Sequence, residues 1–76
     1  MLYSQMKALI GKRIEIPAHY DTWMRGARFG TITSTKPEKS GLSSCLLVRM
    51  DHPYVRRRVK VWSHDIEYAR IIGESP

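Results

Sequence analysis

Short runs of alternating apolar and polar residues, each soon broken by proline, glycine or a polar cluster, limit what this chain can become. In Lys12–Ile16, Ile14 and Ile16 share one face while Arg13 and Glu15 share the other. A two-residue period of this kind reads as a strand with one buried side. Similar runs span Arg28–Thr35, Leu42–Met50, Val55–Trp62 and Ile66–Ile72. Pro17 stops the first, because proline cannot donate to a ladder. Lys36-Pro37-Glu38-Lys39-Ser40-Gly41 and Asp51-His52-Pro53-Tyr54 are turn-forming connections. Ser63-His64-Asp65 reads as a single helical turn. Residues 17 to 27 form a long loop, and Met1 to Ile10 has the apolar spacing of one short helix ended by Gly11. Five short strands with little helix define an all-β chain.

The chain has 76 residues, enough for one small domain. Such a domain buries roughly 60% of the surface its unfolded form exposes, so its core is thin. The expected organisation is an arm or short helix over 1–10, a β-barrel over 11–72 and a tail over 73–76. A long loop after the first strand, hairpins joining the next three and a single turn before the fifth resemble the SH3-like barrel. The rhythm that carries the resemblance is Gly11-x-x-Ile14-x-Ile16, Gly30-Thr31-Ile32, Leu47-Val48-Arg49, Val59-x-Val61 and Ile66-x-x-Ala69. The Gly-Thr-Ile step is similar to that of KOW-type barrels and of the small photosystem subunit of the same fold. The resemblance implies a five-stranded barrel; it does not by itself imply a function.

Function is approached through charge. Thirteen Lys and Arg stand against seven Asp and Glu, a formal net charge of +6. A field of that sign favours polyanions. The segment Val55-Arg56-Arg57-Arg58-Val59-Lys60-Val61-Trp62 concentrates it. As the fourth strand, it turns its valines inward and sets Arg56, Arg58 and Lys60 on the outer face. Arg57 has the parity of the valines and requires an edge or a bulge. Arg49 joins the same sheet if residues 51–54 close a hairpin. In the loop 17–27, Tyr20, Trp23 and Arg25 lie close to Arg28, and Tyr54 and Trp62 add further aromatics. Aromatic side chains among cations can stack on nucleic-acid bases, although Trp23 could equally cap a thin core.

The expectation is therefore a non-catalytic module that binds DNA or RNA through Arg49, Arg56, Arg58 and Lys60. Trp62, Tyr54, Tyr20, Trp23, Arg25 and Arg28 would assist. The alternative is a protein–protein adaptor meeting an acidic partner, or barrels self-associating through an edge strand. A groove for proline-rich peptides is disfavoured, since Asp21 is the only acid among Arg25 and Arg28.

Other chemistries find little purchase. His19, His52 and His64 fall at expected turns without metal-site spacing, and neither a metal nor another cofactor is expected. The adjacent pairs Asp51-His52 and His64-Asp65 are expected to point in different directions. Phosphate loops, nucleophile motifs and paired carboxylates are missing from the sequence. Val59-Lys60-Val61-Trp62 followed by Ile66-Glu67 resembles the pore strand of the type II dihydrofolate reductases, small barrels that assemble as tetramers. In that family the strand reads Val-Gln-Ile-Tyr, and its Gln and Tyr line the pore. Lys60 and Trp62 replace both, and lysine lacks the acceptor that glutamine offers. The departures fall on the functional positions, so the activity does not follow.

The single Cys45 excludes an intramolecular disulfide and reads as a buried small hydrophobe of a reducing cytoplasm. No apolar run approaches the roughly 20 residues that cross a bilayer. Met1–Ile10 does not have the pattern of a signal peptide.

Overall fold

A computed structural model describes residues 3–37 and 44–74. Residues 38–41 of the expected turn, 42–43 of the expected third strand and 75–76 of the expected tail lie outside the described residues. The elements are α1 (Tyr3–Lys7), β1 (Lys12–Glu15), α2 (Asp21–Met24), β2 (Phe29–Pro37), β3 (Ser44–Met50), β4 (Val59–Trp62), a 3-10 helix (Ser63–Tyr68) and β5 (Arg70–Glu74). The five strands make one antiparallel sheet in the order β4-β3-β2-β1-β5. The sheet is not closed; β4 and β5 are its edges.

The core follows the two-residue period. Ile14 of β1, Ile32 of β2, Leu46 and Val48 of β3 and Val61 of β4 are fully buried, joined by Met6, Ile16, Ala27, Met50 and Ile66. Met6 carries the amino-terminal segment into this core, and Leu9 packs against it. Cys45 is free and buried.

Three differences from the sequence expectation have physical causes. First, β4 begins at Val59, not Val55, so Arg56 and Arg58 are not strand residues. Val59 pairs with Val48. Continuing that register would set Arg58 opposite Arg49, and like charges directly opposite are destabilising. The chain leaves the ladder there, and Arg57 needs no place in a strand. Second, Ser63–Tyr68 is a 3-10 helix where the last strand was expected to start at Ile66. Ile66 is buried in the core and Ala69 packs against it, a three-residue spacing that suits a 3-10 turn better than a strand. β5 then starts at Arg70 and continues through Gly73 to Glu74. Third, Asp21–Met24 forms a helical turn inside the long loop, closed by Gly26 at φ +101°.

A bulge shapes the long strand β2. Ile32 pairs with Val48 but Ser34 pairs with Leu47, leaving Thr33 as the extra residue. The Thr33 hydroxyl bonds to the Leu47 carbonyl at 3.2 Å. The bulge resets the alternation, so Ser34 and Lys36 share the face of Leu47 and Lys60.

Gly30 sits where the backbones of β2 and β3 nearly touch. A Cβ there would lie 2.5 Å from the Arg49 carbonyl oxygen and 2.7 Å from Val48 Cγ1. Gly30→Ala should therefore destabilise the fold by about 1–3 kcal/mol. Thermal unfolding checks this: a drop of roughly 4–8 °C per kcal/mol is expected for a domain of this size. An unchanged midpoint would contradict the close approach.

Candidate nucleic-acid interface

The outer face of the sheet collects cations row by row. Arg13, Thr31 and Arg49 pair across β1, β2 and β3. Ser34, Leu47 and Lys60 pair across β2, β3 and β4. Arg58, just before β4, donates to the Ser34 hydroxyl at 3.2 Å and so lies over this face. Arg49, Arg58 and Lys60 are exposed. Arg13 is different: its guanidinium donates to both carboxylate oxygens of Asp51 and to the Thr31 hydroxyl at 3.0 Å. The Arg13 hydrogen bond holds the Asp51 carboxyl below its usual range, with Arg49 adding a smaller effect. Asp51 thus neutralises one cation of the face and leaves Arg49, Arg58 and Lys60 outside any salt bridge among the described residues, with Arg49 feeling Asp51 only at longer range.

A second group forms where the loop between β3 and β4 meets α2. Thr22, Arg25, Tyr54, Val55, Arg56 and Arg57 line an open depression of about 370 Å3. Val55 anchors its floor against the core. Tyr54 stands 87% exposed, and the ring of His52 lies tilted at 49° to it with centres 5.5 Å apart. Arg56 and Arg57 lead along the chain directly into Arg58, so the two groups are continuous in sequence.

The other expected site residues serve the fold. Tyr20 is half-buried, and its hydroxyl donates to Asp65 Oδ2 at 2.7 Å while accepting the Trp62 N–H at 3.2 Å. Burial and the bond to Asp65 push its pKa up to about 12. Its hydroxyl is committed, and His19 stands edge-on to its ring at 5.0 Å, so Tyr20 is no free stacking platform. Trp23 packs against the core with the Arg28 guanidinium 4.0 Å above its ring centre. That cation–π contact occupies both Arg28 and the ring face it covers. Trp62 is half-buried beside Lys60, whose Nζ lies 5.8 Å from its ring centre.

The histidines correct the sequence reading. His64 and Asp65 do not diverge: His64 Nε2 lies 3.6 Å from Oδ2, and His19 Nε2 lies 3.4 Å from Oδ1. Among the described residues, no group of three His, Cys, Asp or Glu is arranged to hold a metal ion. No helix of the described residues is long and apolar enough to cross a membrane. Arg57 and Thr22 line the depression but were not expected site residues; Arg57's wrong parity for a strand was the available signal. Ser34 was missed because only the bulge brings it to the outer face.

No protein-family model, curated protein or solved structure matches this chain.

Tyr20→Phe removes the acceptor of the Trp62 N–H and the donor to Asp65. It should cost about 1–3 kcal/mol, because one lost bond is to a charged group. The raised tyrosine pKa adds a pH signature. The folded state holds the proton that the unfolded chain releases near pH 10, so stability falls as pH rises from about 10 towards about 12. Denaturant unfolding across that range should show the loss in the native protein and a shallower loss in Tyr20→Phe. Equal slopes would contradict the role given to this hydroxyl.

Proposed function

We propose that this chain is a non-catalytic nucleic-acid-binding module built as an SH3-like barrel. The strand order, the long loop after β1 and the helical turn before β5 support the barrel reading, with Tyr20 bridging from the β1 loop to the β4 edge. The observation that carries the functional reading is an asymmetry of pairing. Three of the five acids whose side chains are described are engaged, Glu15 with Arg70, Asp51 with Arg13, and Asp65 with Tyr20 and two histidines, while Asp21 and Glu67 are in no salt bridge. The cations of the outer face at Arg49, Arg58 and Lys60 are left for an external anion. Phosphates meet such a face by ion pairing and by releasing their condensed counterions. Contacts of this type position a backbone without reading a sequence, so little sequence preference is expected.

Two measurements test this reading. Replacing Arg49, Arg58 and Lys60 together by Ala should abolish binding to DNA or RNA at low salt while circular dichroism stays native. The log–log salt slope of the native protein on duplex DNA should be near −0.9 per phosphate contacted, hence about −3 for three contacts. Failure of the native protein to shift any oligonucleotide at low salt would overturn the reading. Asp51→Asn moves the other way. It frees Arg13 and should tighten binding several-fold and steepen the slope by up to about 0.9, since one more phosphate can be neutralised. Its stability cost should be about 1 kcal/mol or less, as for an exposed ion pair. Unchanged affinity would show that Arg13 lies outside the interface.

A further inference from the structure

We infer that the ligand is single-stranded, and that the depression between α2 and the β3–β4 loop takes one nucleotide of it. The unpaired base would stack on Tyr54, and the flanking phosphates would meet Arg25, Arg56 and Arg57. The inference rests on the nucleic-acid reading and specifies which form of nucleic acid is bound.

Three observations carry it. Tyr54 is the most exposed of the large apolar side chains among the described residues, at 87%, and does not serve the core. It lines the same depression as three arginines, none paired with an acid among the described residues. The depression is continuous along the chain with Arg58, which reaches over the outer face to Ser34. An exposed ring surrounded by cations offers a duplex little, because paired bases hide their faces in the stack. A single strand offers both partners at once: a free base face for the ring and phosphates for the guanidinium groups. Thr22 adds a hydroxyl that can bond a phosphate or sugar oxygen. DNA and RNA single strands share this chemistry.

Fluorescence anisotropy with labelled oligothymidylate, oligouridylate and a duplex of equal length tests the inference at one fixed salt concentration. Both single strands should bind more tightly than the duplex. If only one of them does, the 2′-hydroxyl or the thymine methyl group is being read as well. Tyr54→Ala should weaken single-strand binding about 5- to 150-fold, from a stacking contribution of about 1–3 kcal/mol per base, and leave duplex binding unchanged. Tyr54→Phe should bind as the native protein does, since the ring is what stacks. An abasic single strand should bind the native protein no better than it binds Tyr54→Ala. The exposure of Tyr54 makes these variants safe for folding. A duplex bound as tightly as the single strands, with Tyr54→Ala neutral, would overturn the inference and leave the outer face as a general phosphate-binding surface. Binding to none of the three would overturn it together with the reading it rests on.

Discussion

The tyrosine hydroxyl between the two ends of the sheet is the interaction on which the rest of the arrangement depends. An open five-stranded sheet has edges with backbone donors in need of partners. At the β4 edge, the N–H of Trp62 finds the Tyr20 hydroxyl, which in turn donates to Asp65 at the start of the 3-10 helix. One side chain from the loop after β1 thereby ties that loop to β4 and to the helix preceding β5. With the loop held, α2 keeps Thr22 and Arg25 beside Tyr54, Arg56 and Arg57. Burial of the phenol makes the tie sensitive to its ionisation and explains the raised pKa.

A second constraint is the placement of charge. A thin core gives a small domain little margin, so its ion pairs are few and local. Arg70–Glu15 pairs across the neighbouring strands β5 and β1, Arg13 of β1 reaches over β2 to Asp51 just after β3, and Asp65 faces two histidines and a tyrosine. These pairs leave untouched the surplus of thirteen Lys and Arg over seven Asp and Glu. The excess collects on the outer face and in the adjoining depression. The like-charge conflict between Arg49 and the continued strand explains why the basic run does not lie flat on the sheet. Its first part turns away as a loop, and only Arg58 and Lys60 stay on the face.

Much of the fold was legible because period-two burial is a local signal. Ile14, Ile32, Leu46, Val48 and Val61 lie in the core as their alternation requires. The strand segments were found wherever such alternation met a turn residue. What was not legible depended on partners far away in the chain. The start of β4 is set by the charge opposite it on β3, which the sequence of residues 55–62 does not contain. The bulge at Thr33 is a property of a strand pair. The helical turn at Ser63–Asp65 was legible, but its extension to Tyr68 was signalled only by the spacing of Ile66 and Ala69, which a reading tuned to alternation passes over. In the candidate site, the basic residues were evident from composition, but their division into a sheet face and a depression was not. Nor could the sequence separate aromatics that hold the fold, Tyr20 and Trp23, from the one that stands free, Tyr54.

We propose that the protein binds its ligand through the outer face and the Tyr54 depression together. Titrating isotopically labelled protein with an oligothymidylate, and following the backbone amide and arginine Nε–H signals by nuclear magnetic resonance, tests it most directly. Shifts are expected at Arg25, along residues 54–58 and at Arg49 and Lys60, with β5 unaffected. Shifts centred on the exposed Tyr68, Ile71 and Ile72 instead, or no shifts at all, would contradict it.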